Sequence, residues 1–134
     1  MNVTAEELVQ GLCQAMACQS KHDVENEEWV LDVVLEGGRG QEITVRPFEE
    51  EEQAFVRFFT AIGKAAEFTL PKLKTALELN ASLRHGAVAL YEGEIVLTET
   101  ASLLHPLEEI TRVARYLTRM ADAYEKILFG VDRA

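Results

Sequence analysis

Residues 77–100, reading LELNASLRHGAVALYEGEIVLTET, constrain this chain more than any other stretch. Glu92-Gly93 stands between two runs of alternating character, the mark of a two-residue hairpin loop. Pairing Tyr91 with Glu94 fixes the register behind the loop, so Leu90 faces Ile95 and Val88 faces Leu97. Those four aliphatic side chains share one face of the ribbon, while Ala87, Ala89, Val96, Thr98 and Thr100 share the other. One side of the hairpin needs a core, and the other is small and mildly polar.

The flanking sequence supplies that core. Thr4 and Glu7 have capping-box spacing, and Leu8, Leu12, Ala15 and Met16 fall on one face, which predicts an amphipathic helix over residues 4–19. From Glu28 the period becomes two: Trp29, Leu31, Val33 and Leu35 alternate with Val30, Asp32 and Val34. Gly37-Gly38-Arg39-Gly40 then turns the chain into Ile43 and Val45, a second hairpin. Pro47 closes that strand, and the acidic run at residues 49–52 reads as a solvated turn. Residues 54–62 fit a helical stripe (Phe55, Phe58, Phe59, Ile62) and a strand (Val56, Phe58, Thr60, Ile62); their aromatic and β-branched content favours the strand.

A helix follows from about Thr69, with Pro71 in its first turn and His85-Gly86 at its end. It shows Leu70, Leu73 and Leu77 on one side and Leu79 and Leu83 on another. A helix apolar on more than one face should be covered twice, by its own sheet and by a second subunit. A homodimer is therefore expected, with Leu73, Leu77, Val88 and Leu90 at or just behind the interface. The last helix runs from Pro106 to about Phe129 with a seam of Leu107, Ile110, Ala114, Leu117, Ala121, Tyr124 and Leu128. A second stripe (Val113, Tyr116, Met120, Ala123, Ile127) packs on the first helix or opens a partner groove. The element order is α-β-β-β-α-β-β-α, an α+β class with a twisted antiparallel sheet and helices packed on it.

Composition narrows the function classes. A chain of 134 residues with 48% hydrophobic content suits one domain spanning residues 1–134. A formal charge of −10 repels a phosphate backbone, and no local basic patch stands out along the sequence, so no nucleic-acid partner is expected. Apolar runs fall far short of the ~20 residues that span a bilayer, and no leader opens the chain, so a cytoplasmic protein without membrane insertion is expected. Cys13 and Cys18, carried on one helix, would sit about 140° apart and read as reduced thiols rather than a disulfide. With His22, His85 and His105 scattered, they form no metal cluster. Nothing has the spacing of an acid-base pair, a nucleophile with its base, GxxxxGK[ST] or GxGxxG. Gly37-Gly38-Arg39-Gly40 leads into a strand, so it presents no helix N-terminus to a phosphate. Neither catalysis nor a cofactor is expected.

The element order, the motif LELNASLRHGAVALYEGEIVL and the closing helix with ADAYEKIL together resemble the type III secretion chaperone family, including its YbjN-like relatives. Leu79-Asn80 matches the family's leucine-asparagine pair, and Gly86 matches the glycine that opens the following strand. The exit from the hairpin, Ser102-Leu103-Leu104-His105-Pro106-Leu107, is longer than the leucine-proline-leucine of relatives. The resemblance implies a non-enzymatic homodimer that binds an extended segment of a client protein; the alternative is a YbjN-like regulatory protein that binds a signalling partner. The candidate partner-binding groove is lined by Leu8, Leu12 and Met16 of the first helix and by Phe55 and Phe59 of the aromatic strand, where an added segment could pair along a sheet edge.

Overall fold

Thr4 Oγ1 accepts the Glu7 amide and Glu7 Oε1 the Thr4 amide, both at 3.1 Å, so the capping box starts α1 (Ala5–Met16) as its spacing predicts. A computed structural model describes residues 3–130, in which β1 (Gln19–Asp23), β2 (Glu28–Val34), β3 (Gly40–Glu50) and β4 (Gln53–Lys64) follow. After a short 3-10 turn come α2 (Leu70–Asn80), β5 (Ala87–Tyr91), β6 (Glu94–Ser102) and α3 (Leu107–Phe129). The α+β class holds, with one strand more than the sequence announces. β1 (QSKHD) has no apolar alternation and is exposed over four of its five residues; only its backbone pairing with β2 makes it a strand.

Residues 54–62 are strand, as their side chains favour. Pro47 does not close the strand before them: β3 runs on through Pro47 to Glu50, and only Glu51 and Glu52 of the acidic run make the tight turn, at φ 52 and 65, the left-handed pair that such a turn requires. The Glu92-Gly93 hairpin keeps its expected register, Leu90 opposite Ile95 and Val88 opposite Leu97. α2 is shorter than expected, ending at Asn80 rather than at His85. The Asn80 side chain accepts the Val88 amide at 2.8 Å, tying the helix end to β5, and residues 81–86 become a turn. Gly86 closes that turn at φ +82, where a Cβ would lie 2.6 Å from Leu117 and 3.0 Å from the Thr98 carbonyl.

All strand pairs are antiparallel, in the order β1-β2-β3-β4-β6-β5. Period-two alternation sends Leu31, Val33, Ile43, Val45, Val56, Phe58, Ile62, Ile95 and Leu97 to one face, where they meet Leu8 and Leu12 of α1, Ala76 of α2, and Ile110, Ala114, Leu117, Ala121 and Tyr124 of α3 in one buried cluster. All three helices thus lie on the same face. Ala114 and Ala121 bring α3 close to the strands, and its buried Thr111 and Thr118 donate back to Leu107 and Ala114 carbonyls of their own helix. No helix among the described residues is long and apolar enough to cross a membrane.

Candidate functional site

The sheet ends in β5, an edge strand of five residues, and α2 packs beside it. Thr69 caps α2 through the Lys72 amide, and Ala76 is its one fully buried side chain. Leu73 and Val88 are half-buried. Leu77 is 55% exposed and Leu90 68%, with Leu70 at 66% on the same helix. The four leucine and valine positions expected at a dimer interface therefore gather at one edge of the molecule, and two of them are open. The motif residues around them have local work: the Tyr124 hydroxyl donates to the Leu79 carbonyl at 2.9 Å, and Glu99 accepts the Gly86 amide at 2.6 Å with His85 3.9 Å away.

The five residues assigned to a partner groove do not come together. Leu8 and Leu12, expected to line the groove, are 1% and 0% exposed and belong to the core beneath α3. Met16 is half-buried at the end of α1. Phe55 and Phe59 sit on the opposite face of the sheet, because they alternate with the core residues Val56 and Phe58. A stripe read as one groove is thus split by the sheet's own thickness.

That opposite face carries no helix among the described residues, and its aromatic rings pack on one another. Phe55 stacks on Phe48 at 5.3 Å, with the Arg57 guanidinium 4.4 Å above the Phe48 ring and donating to Thr100 at 3.0 Å. Phe59 stacks on Tyr91 at 3.9 Å across the intervening β6, and Val96, between the partners of those two rings, is 2% exposed. Arg46 donates to the Tyr91 hydroxyl. Burial pushes the Tyr91 hydroxyl up, partly offset by Arg46, and burial likewise raises the Glu28 carboxyl against the pull of Arg46. The face is a set of aromatic pairs, with Arg57 over one ring and Arg46 bonded to the hydroxyl of another, half-buried by their own contacts.

Two expectations need correction. Cys13 and Cys18 are not on opposite sides of a helix. α1 stops at Met16, Ala17 turns left-handed at φ 51, and the Cys18 amide bonds back to the Cys13 carbonyl at 3.0 Å, which brings the two thiols within hydrogen-bond reach. A basic patch also exists, although none stands out when the sequence is read along its length. Arg112, Arg115 and Arg119 repeat at helical spacing on the solvent side of α3, a signal visible in the sequence at three- and four-residue steps, and the fold adds Arg39 and Arg84 from two loops. Asp122 accepts from Arg39 Nε at 3.0 Å, and that bond first, then the charges of Arg39 and Lys126, hold its carboxyl below the usual range. No group of three or more His, Cys, Asp or Glu side chains is placed to hold a metal among the described residues.

No family model matches the chain, and no curated protein matches it. Among solved structures it is similar to a chain of the HopA1-SchA chaperone-effector complex, over 90% of its own length and 92% of the other's, with a TM-score of 0.60 and 8% identity. At that identity the likeness is one of fold.

Proposed function

We propose that this chain is a non-enzymatic protein-binding module of the secretion-chaperone kind, a cytoplasmic homodimer that holds an extended segment of a client. The observation that carries the reading is the open leucine edge, Leu77 and Leu90 beside half-buried Leu73 and Val88, on a fold shared end to end with a chain of a chaperone-effector complex. An edge strand with exposed aliphatic side chains next to an under-covered helix is a surface that a second copy would bury. Met16 and the Phe55 and Phe59 face are the positions left for a client, because Leu8 and Leu12 are occupied in holding α1 to α3.

The test is capture from the native cytoplasm on the tagged full chain, with the bound proteins identified by mass spectrometry. A single dominant client that stays soluble only in the presence of this protein supports the reading. A signalling protein as the dominant catch moves it to the regulatory class, and turnover of a small molecule by the purified protein overturns it.

A further inference from the structure

The chain has 13 Lys and Arg residues against 23 Asp and Glu. Six of those 13 cations, Arg39, Arg84, Arg112, Arg115, Arg119 and Lys126, nonetheless border one open concavity of about 1250 Å³, where the only carboxylates among the described residues are Glu36 and Asp122. Asp122 is already engaged by Arg39 and Lys126. Arg115 donates to the Ala15 carbonyl, and Arg84 lies 5.0 Å over the Tyr116 ring. Arg112 and Arg119 are exposed and make no side-chain hydrogen bond or ion pair among the described residues. No acidic residue stands between them in the helix sequence; Glu108 and Glu109 lie one turn before Arg112, and Asp122, already engaged, lies three residues after Arg119.

The spacing of these charges matters. Seven residues of α-helix advance about 10 Å, so Arg112, Arg119 and Lys126 form a row of positive charges at that interval. Three residues of a polyproline-II segment cover about the same distance and return the side chain to the same face. Between the row and the β2-β3 turn, the concavity is lined by Met16, by Leu35 and by Val34, which is 67% exposed. Carboxylates on an extended segment could thus reach the arginines while side chains between them settle on apolar surface.

We propose that this concavity docks an acidic, aliphatic-bearing segment of another polypeptide, with Arg112 and Arg119 as its principal anchors. The proposal rests on the protein-binding reading above and adds the chemistry of the segment. The overall charge of −10 slows the approach of any anion, but beyond about 10 Å it is screened at physiological salt, and at contact the local guanidinium groups dominate. A nucleic acid fits less well. The net charge of −10 opposes a long phosphate backbone, and among the described residues no Phe, Tyr or Trp lines the concavity to stack a base.

The test is fluorescence anisotropy on the full chain with three short labelled probes: a peptide with Asp or Glu at every third position and Leu or Val between, its Asn/Gln counterpart, and a single-stranded DNA of similar length. The acidic peptide should bind, weaken as salt rises, and lose about tenfold or more in affinity in the Arg112→Gln, Arg119→Gln double variant, as expected for losing charge-assisted contacts. The Arg112→Lys, Arg119→Lys variant should recover part of that loss. Equal affinity for the neutral peptide, tighter binding of the DNA, or no change in the glutamine variant overturns the proposal. A chain that still captures its client while failing the peptide titration retains the protein-binding reading and loses only this surface. A chain that binds the peptide but captures no client has the reverse outcome.

Discussion

Ala17, at φ 51, redirects the chemistry of its neighbour. By ending α1 there it folds Cys18 back onto Cys13, and burial first, then the neighbouring Cys13, pushes the Cys18 thiol up to about 11. At pH 8 the folded protein should therefore alkylate at Cys18 about 100-fold more slowly than the urea-unfolded chain, since thiolate is the reactive form and below the pKa its fraction falls tenfold for each unit that the pKa rises. Iodoacetamide labelling followed by peptide mass spectrometry checks this; equal rates would remove the burial argument. Leu12 and Phe55 form a second single-residue contrast. Leu12→Asp places a carboxylate in a fully buried site and should prevent folding, while Phe55→Asp, on the half-buried opposite face, should cost stability and leave the fold intact. Thermal melting of both variants decides; a Leu12→Asp protein that melts cooperatively near the parent would mean that α1 is not held as described.

α2 and β5 together carry the strongest prediction about assembly. Leu77→Asp and Leu90→Asp alter side chains that are open in the single chain, so each variant should melt close to the parent yet lose the dimer. Light scattering reads it: the parent should weigh about twice 15.0 kDa at tens of micromolar and the variants close to 15.0 kDa. A parent mass of one chain would end the dimer assignment. Elements with strong periodicity were legible in the sequence: the capping box of α1, the Glu92-Gly93 register, the α3 seam from Ile110 to Leu128 and the strand at 54–62 stand where their residues place them, while Leu107 at the start of the seam is exposed. β1 was not, because an edge strand whose side chains are wet leaves no pattern to read. The groove failed for a different reason. Helical and strand stripes give faces within an element but do not say which side of a sheet an element occupies, so Leu8 and Phe55 could be read as neighbours although the sheet separates them. The arginine surface was legible only in part: Arg112, Arg115 and Arg119 repeat at helical spacing, but Arg39 and Arg84 join them from loops distant in sequence.

At the scale of the whole molecule, acid should act in two opposite steps. Burial raises the Glu28 and Glu42 carboxyls above the usual 4.5, so their ionised forms weigh against the fold at neutral pH. Native protons are then bound more readily than unfolded ones, and stability should rise as pH falls from neutral toward 4.5. Asp122 has the reverse sign. Arg39 holds its carboxyl below 3.8, so its contribution is present above that value and is lost as pH falls further. Urea midpoints measured across this range should pass through a maximum; Glu42→Gln should flatten the rise, and Asp122→Asn should flatten the fall. A midpoint that declines steadily from pH 7 downward contradicts the first step. The two margins of the sheet also differ in kind, and that difference limits growth. β1 offers Lys21, His22 and Asp23 along its free side, a charged and wet border that discourages a neighbour, while β5 offers AVALY. Pairing two copies through β5 consumes the one inviting border each possesses, and both ends of the joined sheet are then β1. Such an assembly is self-terminating: it cannot elongate into a fibre, because no copy has a second adhesive margin to extend it.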